Sequence, residues 1–234
     1  VAHAGVRLTA GASPRRFDVA GVVRGAARGR RRRTSGFPSV ALPFIAPPSI
    51  TPVEPRPPSN DDYARNADMT GPVLVERIEA ALEASGVEYE IFPCDPELAD
   101  TAVFCERYGY PLDVSANTIL VKAKTGGERY VVCVVLANTR LDVNRTVRKR
   151  IGARRVSFAS ADETRAATGM EIGGVTPLAL PEALEIWVDA RIMVCEWVIL
   201  CGGDRAHKVK VAPALFERMP SVTVVEGLAL DPPV

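Results

Sequence analysis

The stretch Tyr130–Ala137 (YVVCVVLA) runs for eight residues without a charge and is dominated by β-branched side chains. A strand whose two alternating sides are both apolar has no face to offer water, so it belongs in the buried centre of a sheet. Upstream, Thr118–Ala123 is also β-rich, and Lys124-Thr125-Gly126-Gly127-Glu128 between the two segments reads as a hairpin turn. Around this pair the periods change repeatedly. Leu74, Ile78, Ala81 and Leu82 recur at helical spacing over Val73–Ser85, with Gly86 at the stop. Val87–Phe92 alternates as a half-exposed strand. Asp100 and Thr101 are placed to cap a short helix reaching about Tyr108, closed by Gly109.

Further on, Asp142 opens a basic helix (VNRTVRKRIG), and Arg154–Phe158 reads as a strand. Ser160 and Glu163 form a capping-box pattern for a helix that Gly169 closes. Strands follow near Ile186–Asp189, Trp197–Cys201 and His207–Val211, the last two separated by a Gly202-Gly203 turn. Short helices alternating with strands, one hairpin among them, predict an α+β single domain. Its curved mixed sheet is flanked by short helices and is not doubly wound. No internal repeat is visible and no apolar span reaches membrane length.

Charge divides the chain. Residues 1–68 hold 11 Arg, no Lys, 5 acidic residues and 9 of the 19 prolines, a formal charge of +6, which leaves −5 for residues 69–234. The first part is expected to be a disordered Arg/Pro-rich tail, or else upstream sequence translated from an early assigned start, since the domain pattern begins directly after Met69. The run Arg28–Arg33 before an apolar stretch has the outline of an export signal, but Pro38, Pro43, Pro47 and Pro48 break it. A basic arm for nucleic acid is the other reading of the same arginines. Residues 69–234 are enough for one domain with a sizeable core.

Two histidines, His3 and His207, make a conventional zinc hydrolase site a poor expectation, and no metal or cofactor is expected. The five cysteines form no CxxC pair and are odd in number, which points to a reducing compartment, the cytoplasm by default. Cys133, inside the apolar strand, reads as an inert core residue. The most informative loop is Gly169-Met170-Glu171-Ile172-Gly173-Gly174-Val175-Thr176-Pro177. Adjacent glycines allow positive φ and close approach to a ligand, with N–H groups aimed at a carbonyl or phosphate oxygen; they also make an ordinary turn.

The order of Ser115–Val121, Val131–Leu136, Gly152-Ala153-Arg154-Arg155, Thr168–Pro177, Val188-Asp189 and Gly202-Gly203-Asp204-Arg205 resembles that of a known family over roughly residues 73–228. That family comprises the YbaK-like and prolyl-tRNA-synthetase-associated domains, which deacylate wrongly charged tRNA. The resemblance implies hydrolysis of the ester between an amino acid and the terminal ribose of tRNA. The N–H groups of Gly173 and Gly174 would hold the oxyanion, and Thr176 would position water or the ribose unless its hydroxyl only bonds the local turn. Proton transfer would fall to a ribose hydroxyl or the amino acid's own group. Asn117 stands where the family carries a substrate-contacting lysine; Asn donates a hydrogen bond but brings no charge. Thr118 beside it fits the family pattern.

Lys122, five residues on, faces the other side of the strand and is a poor substitute. Arg205 and Lys208, after the Gly202-Gly203 turn, are the better cations unless they form a solvated face. The same resemblance puts Thr101 on the pocket wall, Gly202 and Gly203 beside the substrate, and Asp189 where a carboxylate would read the substrate's ammonium, its plain alternative being a strand end. Arg145, Arg148, Lys149, Arg150, Arg154 and Arg155 would seat the acceptor end of aminoacyl-tRNA through phosphates, or else form a charged helix face. An aminoacyl-tRNA synthetase is a second implied partner; the oligomeric state stays open. The rival reading is a non-catalytic module that binds tRNA or an aminoacyl-nucleotide and has lost turnover with the lysine.

Overall fold

Val131, Cys133 and Val135 enter one apolar cluster, and Val132, Val134 and Leu136 enter another. The central strand is therefore buried on both faces, as its composition requires, and each such valine contributes on the order of 1.5–3 kcal/mol by leaving water. The computed structural model describes residues 72–231, Glu128 excepted. The tail expected over residues 1–68, His3 with it, lies outside the described residues.

In chain order come α1 (Pro72–Ser85), β1 (Tyr89–Pro93), α2 (Thr101–Tyr108), β2 (Ala116–Ala123), β3 (Arg129–Leu136) and β4 (Arg140–Leu141). A π-helical turn (Val143–Val147), the single turn α3 (Arg148–Arg150), β5 (Val156–Phe158) and α4 (Ala161–Thr168) follow. The C-terminal part holds β6 (Glu185–Asp189), β7 (Val198–Cys201), β8 (His207–Val211), α5 (Ala214–Glu217), β9 (Val222–Val225) and β10 (Ala229–Leu230). The main sheet has the order β5-β2-β3-β6-β9. β2 pairs antiparallel with β3 and β5, while β6 runs parallel to β3 and β9, so the sheet is mixed. An antiparallel sheet β1-β8-β7 joins it through a parallel bridge between Ser115 and Ile199, where Ile199 N–H also donates to Val114 O at 2.8 Å. β4 and β10 form a separate two-stranded ladder.

Leu74, Ile78 and Leu82 of α1 pack in the cluster that holds Val132 and Val134. Val147 and Ile151, from the basic segment, pack on the opposite face with Val121, Cys133 and Trp187. Among the described residues no helix is long and apolar enough to cross a membrane.

Three local expectations need correction. The basic segment is not one helix: both carboxylate oxygens of Asp142 accept early N–H groups, from Arg145 at 3.2 Å and Thr146 at 3.1 Å, and the segment begins as a wide turn. The strand expected from Arg154 starts only at Val156, because the N–H groups of Arg154 and Arg155 donate to Thr125 Oγ1 (2.9 and 3.3 Å). Asp100 stands at the N-cap of α2, but its side chain does not cap the helix; it turns outward to Arg205.

The capping box of α4 forms as expected. Glu163 N–H donates to Ser160 Oγ (3.2 Å) and Ser160 N–H to Glu163 Oε2 (2.8 Å), while Lys122 Nζ donates to Glu163 Oε1 at 2.6 Å. The Lys122 hydrogen bond, with the Ser160 N–H, holds the Glu163 carboxyl below the ordinary carboxylate range. Stability from a depressed carboxylate is fully present above its unfolded value and is lost as pH falls through its folded one. Glu163→Gln keeps an N3 side chain able to complete the box, so thermal melts should show a modest deficit at pH 7 that closes in acid. A deficit independent of pH would assign the effect to the box instead.

Candidate functional site

The first turn of α2, the beginning of β2, the loop after α4 and the end of β7 enclose two adjoining hollows, of about 220 Å³ and about 190 Å³. They share Thr118, Ile119, Ile172, Gly173 and Val175. Asn117 and Thr101 line the first, where Thr101 Oγ1 donates to Asn117 Oδ1 at 2.7 Å. This bond leaves the Asn117 Nδ2 protons without a partner among the described residues, on a residue that lines the hollow. Thr118 Oγ1 is buried and unpartnered as well, an orphaned hydroxyl at the wall of both hollows.

The glycine loop holds its shape through contacts that only glycine permits. Gly173 has φ +89°, and a Cβ there would run into the Arg205 guanidinium. At Gly174 a Cβ would lie 2.6 Å from the carbonyl carbon of Asp204 and 2.8 Å from its Cα. Gly203 N–H donates to Gly174 O at 3.0 Å, pinning the loop to the turn between β7 and β8. Gly174 N–H donates to Glu171 O at 2.9 Å. This corrects the expectation of two free N–H groups: the loop spends one on its own turn, and Gly173 N–H alone has no partner among the described residues.

Arg205 is a clamp. Its Nε donates to Pro96 O (3.0 Å), and its Nη1 reaches Asp100 Oδ1 and Ile172 O, both at 3.3 Å. Three segments are tied together at the rim, and Nη2 is the part of the guanidinium that makes no bond among the described residues. Lys208 is not part of a solvated face either. At 2 % exposure it donates to Ala99 O (2.7 Å), approaches Cys201 Sγ (3.5 Å) and lies 4.9 Å over the Phe104 ring. It meets no carboxylate among the described residues. Cys201 lines the first hollow, so the buried ammonium sits one side chain behind the wall. Burial raises the Cys201 thiol and Lys208 opposes that shift.

Other expected site residues fall elsewhere. Asp189 is 1 % exposed and fully committed: Oδ1 accepts from Arg191 N–H and Nε at 3.0 and 2.9 Å, and Oδ2 accepts from Ala229 N–H at 2.8 Å. It ties β6 to β10 and, buried and lining neither hollow, stands away from an ammonium held there. Thr176 is wholly buried; its N–H meets Met170 Sδ at 3.4 Å and its hydroxyl has no partner among the described residues. It lies behind the loop instead of on the hollow. Gly202 N–H donates to His207 O (2.9 Å), so Gly202 and Gly203 shape the turn and do not line either hollow. Arg145, Arg148, Lys149, Arg154 and Arg155 are exposed and line neither hollow.

Asp100, Ile119, Ile172, Val175 and Cys201 also line the first hollow and were not expected as site residues. Ile172 and Val175 carried a signal as members of the glycine loop, and Cys201 as the last residue of a strand directly before a Gly-Gly turn. The Asp100–Arg205 link spans 105 residues and has no sequence signature.

A mixed sheet with short helices and a glycine loop closing a small hollow is the architecture to which known proteins can be compared. Residues 95–219 match the family described as the aminoacyl-tRNA editing domain, and the chain belongs to that family. Among solved structures, a protein proposed to be a trans-editing enzyme for prolyl tRNA synthetase superposes with TM-score 0.57 at 19 % identity, over 68 % of this chain and 98 % of that one. The hypothetical protein APE2540 superposes with TM-score 0.58 at 24 % identity, over 66 % of this chain and 99 % of its own. At these identities the two likenesses establish a shared fold.

Proposed function

We propose that the protein is an aminoacyl-tRNA deacylase acting in trans, hydrolysing the ester of mischarged tRNA. Family membership supports the substrate class. The observation that carries the chemistry is the pair of donors at the 220 Å³ hollow that have no partner among the described residues, Gly173 N–H and Asn117 Nδ2. The ester is activated, so holding its carbonyl against fixed donors and a water accelerates hydrolysis without a histidine base.

Gly173 N–H and Asn117 Nδ2 receive the charge that develops on the carbonyl oxygen. The attacking water is held beside the carbonyl, and a ribose hydroxyl or the substrate's amino group carries the proton. Lys208, buried without a carboxylate partner among the described residues, adds positive potential from behind Cys201. A hollow of this size suits a small amino acid side chain. Arg145, Arg148, Lys149, Arg154 and Arg155 contact acceptor-end phosphates in this reading.

Thr101 holds Asn117, so the pair can be dissected. Asn117→Ala should lower single-turnover kcat about a hundredfold, the scale of one lost oxyanion donor, with KM and melting temperature little changed. Thr101→Val should have a smaller effect in the same direction. Unchanged kcat in Asn117→Ala would remove Asn117 from the chemistry. The committed Gly174 N–H and the uncharged Asn117 also favour a second reading, a module that binds without turnover. Under that reading the natural protein binds tRNA and hydrolyses nothing, and Asn117→Lys gains activity.

A further inference from the structure

The second hollow opens between two large apolar side chains that no packing explains. Phe158 is 58 % exposed and Ile172 is 55 % exposed, and both line it. Phe158 belongs to none of the apolar clusters, although its strand neighbour Val156 packs into one. Opposite Phe158 on β2 stands Val121, four residues from Asn117, a separation of about 13 Å at the rise of a strand. Paired residues share a face, and Asn117, Ile119 and Val121 alternate to one side, so Phe158 stands on the side of the sheet that carries Asn117. The π-helical turn packs on that same side through Val147, leaving Arg145 and Arg148 exposed, and Arg154 and Arg155 are exposed immediately before β5.

We propose that Phe158, with Ile172 beside it, is a stacking platform for a nucleobase of the single-stranded RNA 3′ end, upstream of the terminal nucleoside, whose ester is held in the first hollow. The assignment rests on reading the site as one for a charged tRNA end. Every base has a π-face, so an exposed ring stacks on it whatever its identity, and the exposed arginines before β5 and around the π-helical turn supply positive charge for its phosphates. The cations decide against the other occupants of an exposed aromatic. A second copy of this chain would bring its own arginines against these, and an apolar peptide would leave them unused.

The test uses the full chain at low salt and measures binding, not turnover, so it stands apart from the deacylation reading. The ligands are the tetranucleotide ACCA and adenosine alone. Phe158→Ala should weaken ACCA binding about tenfold and leave adenosine binding and the melting temperature unchanged, while Phe158→Trp keeps the affinity for ACCA. Equal ACCA affinity in Phe158→Ala and the natural protein would overturn the proposal. So would an equal loss for adenosine, which would put the ring at the terminal nucleoside, or a natural dimer that Phe158→Ala dissociates without affecting RNA. ACCA binding that depends on Phe158 in a protein that hydrolyses no ester would sustain the platform and refute the deacylase.

Discussion

Gly174→Ala is expected to lower deacylation kcat/KM by about a hundredfold or more, because a misplacement of about 1 Å in a positioning loop is enough for that loss. The added Cβ would come within 2.6–2.8 Å of three backbone atoms of Asp204, none of which can rotate aside. The loop and the β7–β8 turn must therefore separate, which breaks the Gly203-to-Gly174 hydrogen bond of 3.0 Å and shifts Gly173 with it. Overpacking of this kind costs about 1–3 kcal/mol of stability, so melting temperature should fall while the folded spectrum persists. Gly173→Ala is the informative comparison. Its Cβ would meet the far end of the Arg205 side chain, which can swing away, although positive φ still costs about 1–2 kcal/mol. A Gly174→Ala protein with natural kcat/KM would show that the close approach is irrelevant to activity.

Asp189→Ala should act on stability and spare substrate binding. The carboxylate accepts three hydrogen bonds from a position 1 % exposed, two of them from Arg191, whose side chain is 36 % exposed. Removing one partner of a buried, charge-assisted network costs about 3 kcal/mol, roughly 10 °C in melting temperature for a domain of this size. KM for a mischarged tRNA should stay within about twofold at a temperature where both proteins are folded. A raised KM with natural stability would restore Asp189 as a reader of the substrate's ammonium.

These two residues mark where sequence reading succeeds and where it stops. The double-faced burial of β3 was legible because an uncharged run cannot be hidden any other way, and the capping box at Ser160 and Glu163 was legible because both partners are local. The glycine loop was legible as a motif, but the fate of its N–H groups was not. Glu171 takes one of them through a turn that the sequence GMEIGG does not announce. Lys208 misled because HKVKV reads as a strand with one wet face. In the fold its valines meet the α1 cluster, and Phe104 of α2 covers Lys208 from the other side. Arg205 was hidden for a related reason: its partners Pro96, Asp100 and Ile172 come from two distant segments. Charge is visible in a sequence, but its partners become visible only when the chain is folded.

The most direct test of the account is a single-turnover deacylation panel: tRNAs each charged with a non-cognate amino acid, incubated with the full chain in excess chelator. The account predicts that at least one ester, carrying a small amino acid, is cleaved well above its spontaneous rate, with chelator making no difference and Asn117→Ala and Gly174→Ala both suppressing cleavage. Spontaneous rates throughout, from a protein that nonetheless binds the same tRNAs, would contradict it.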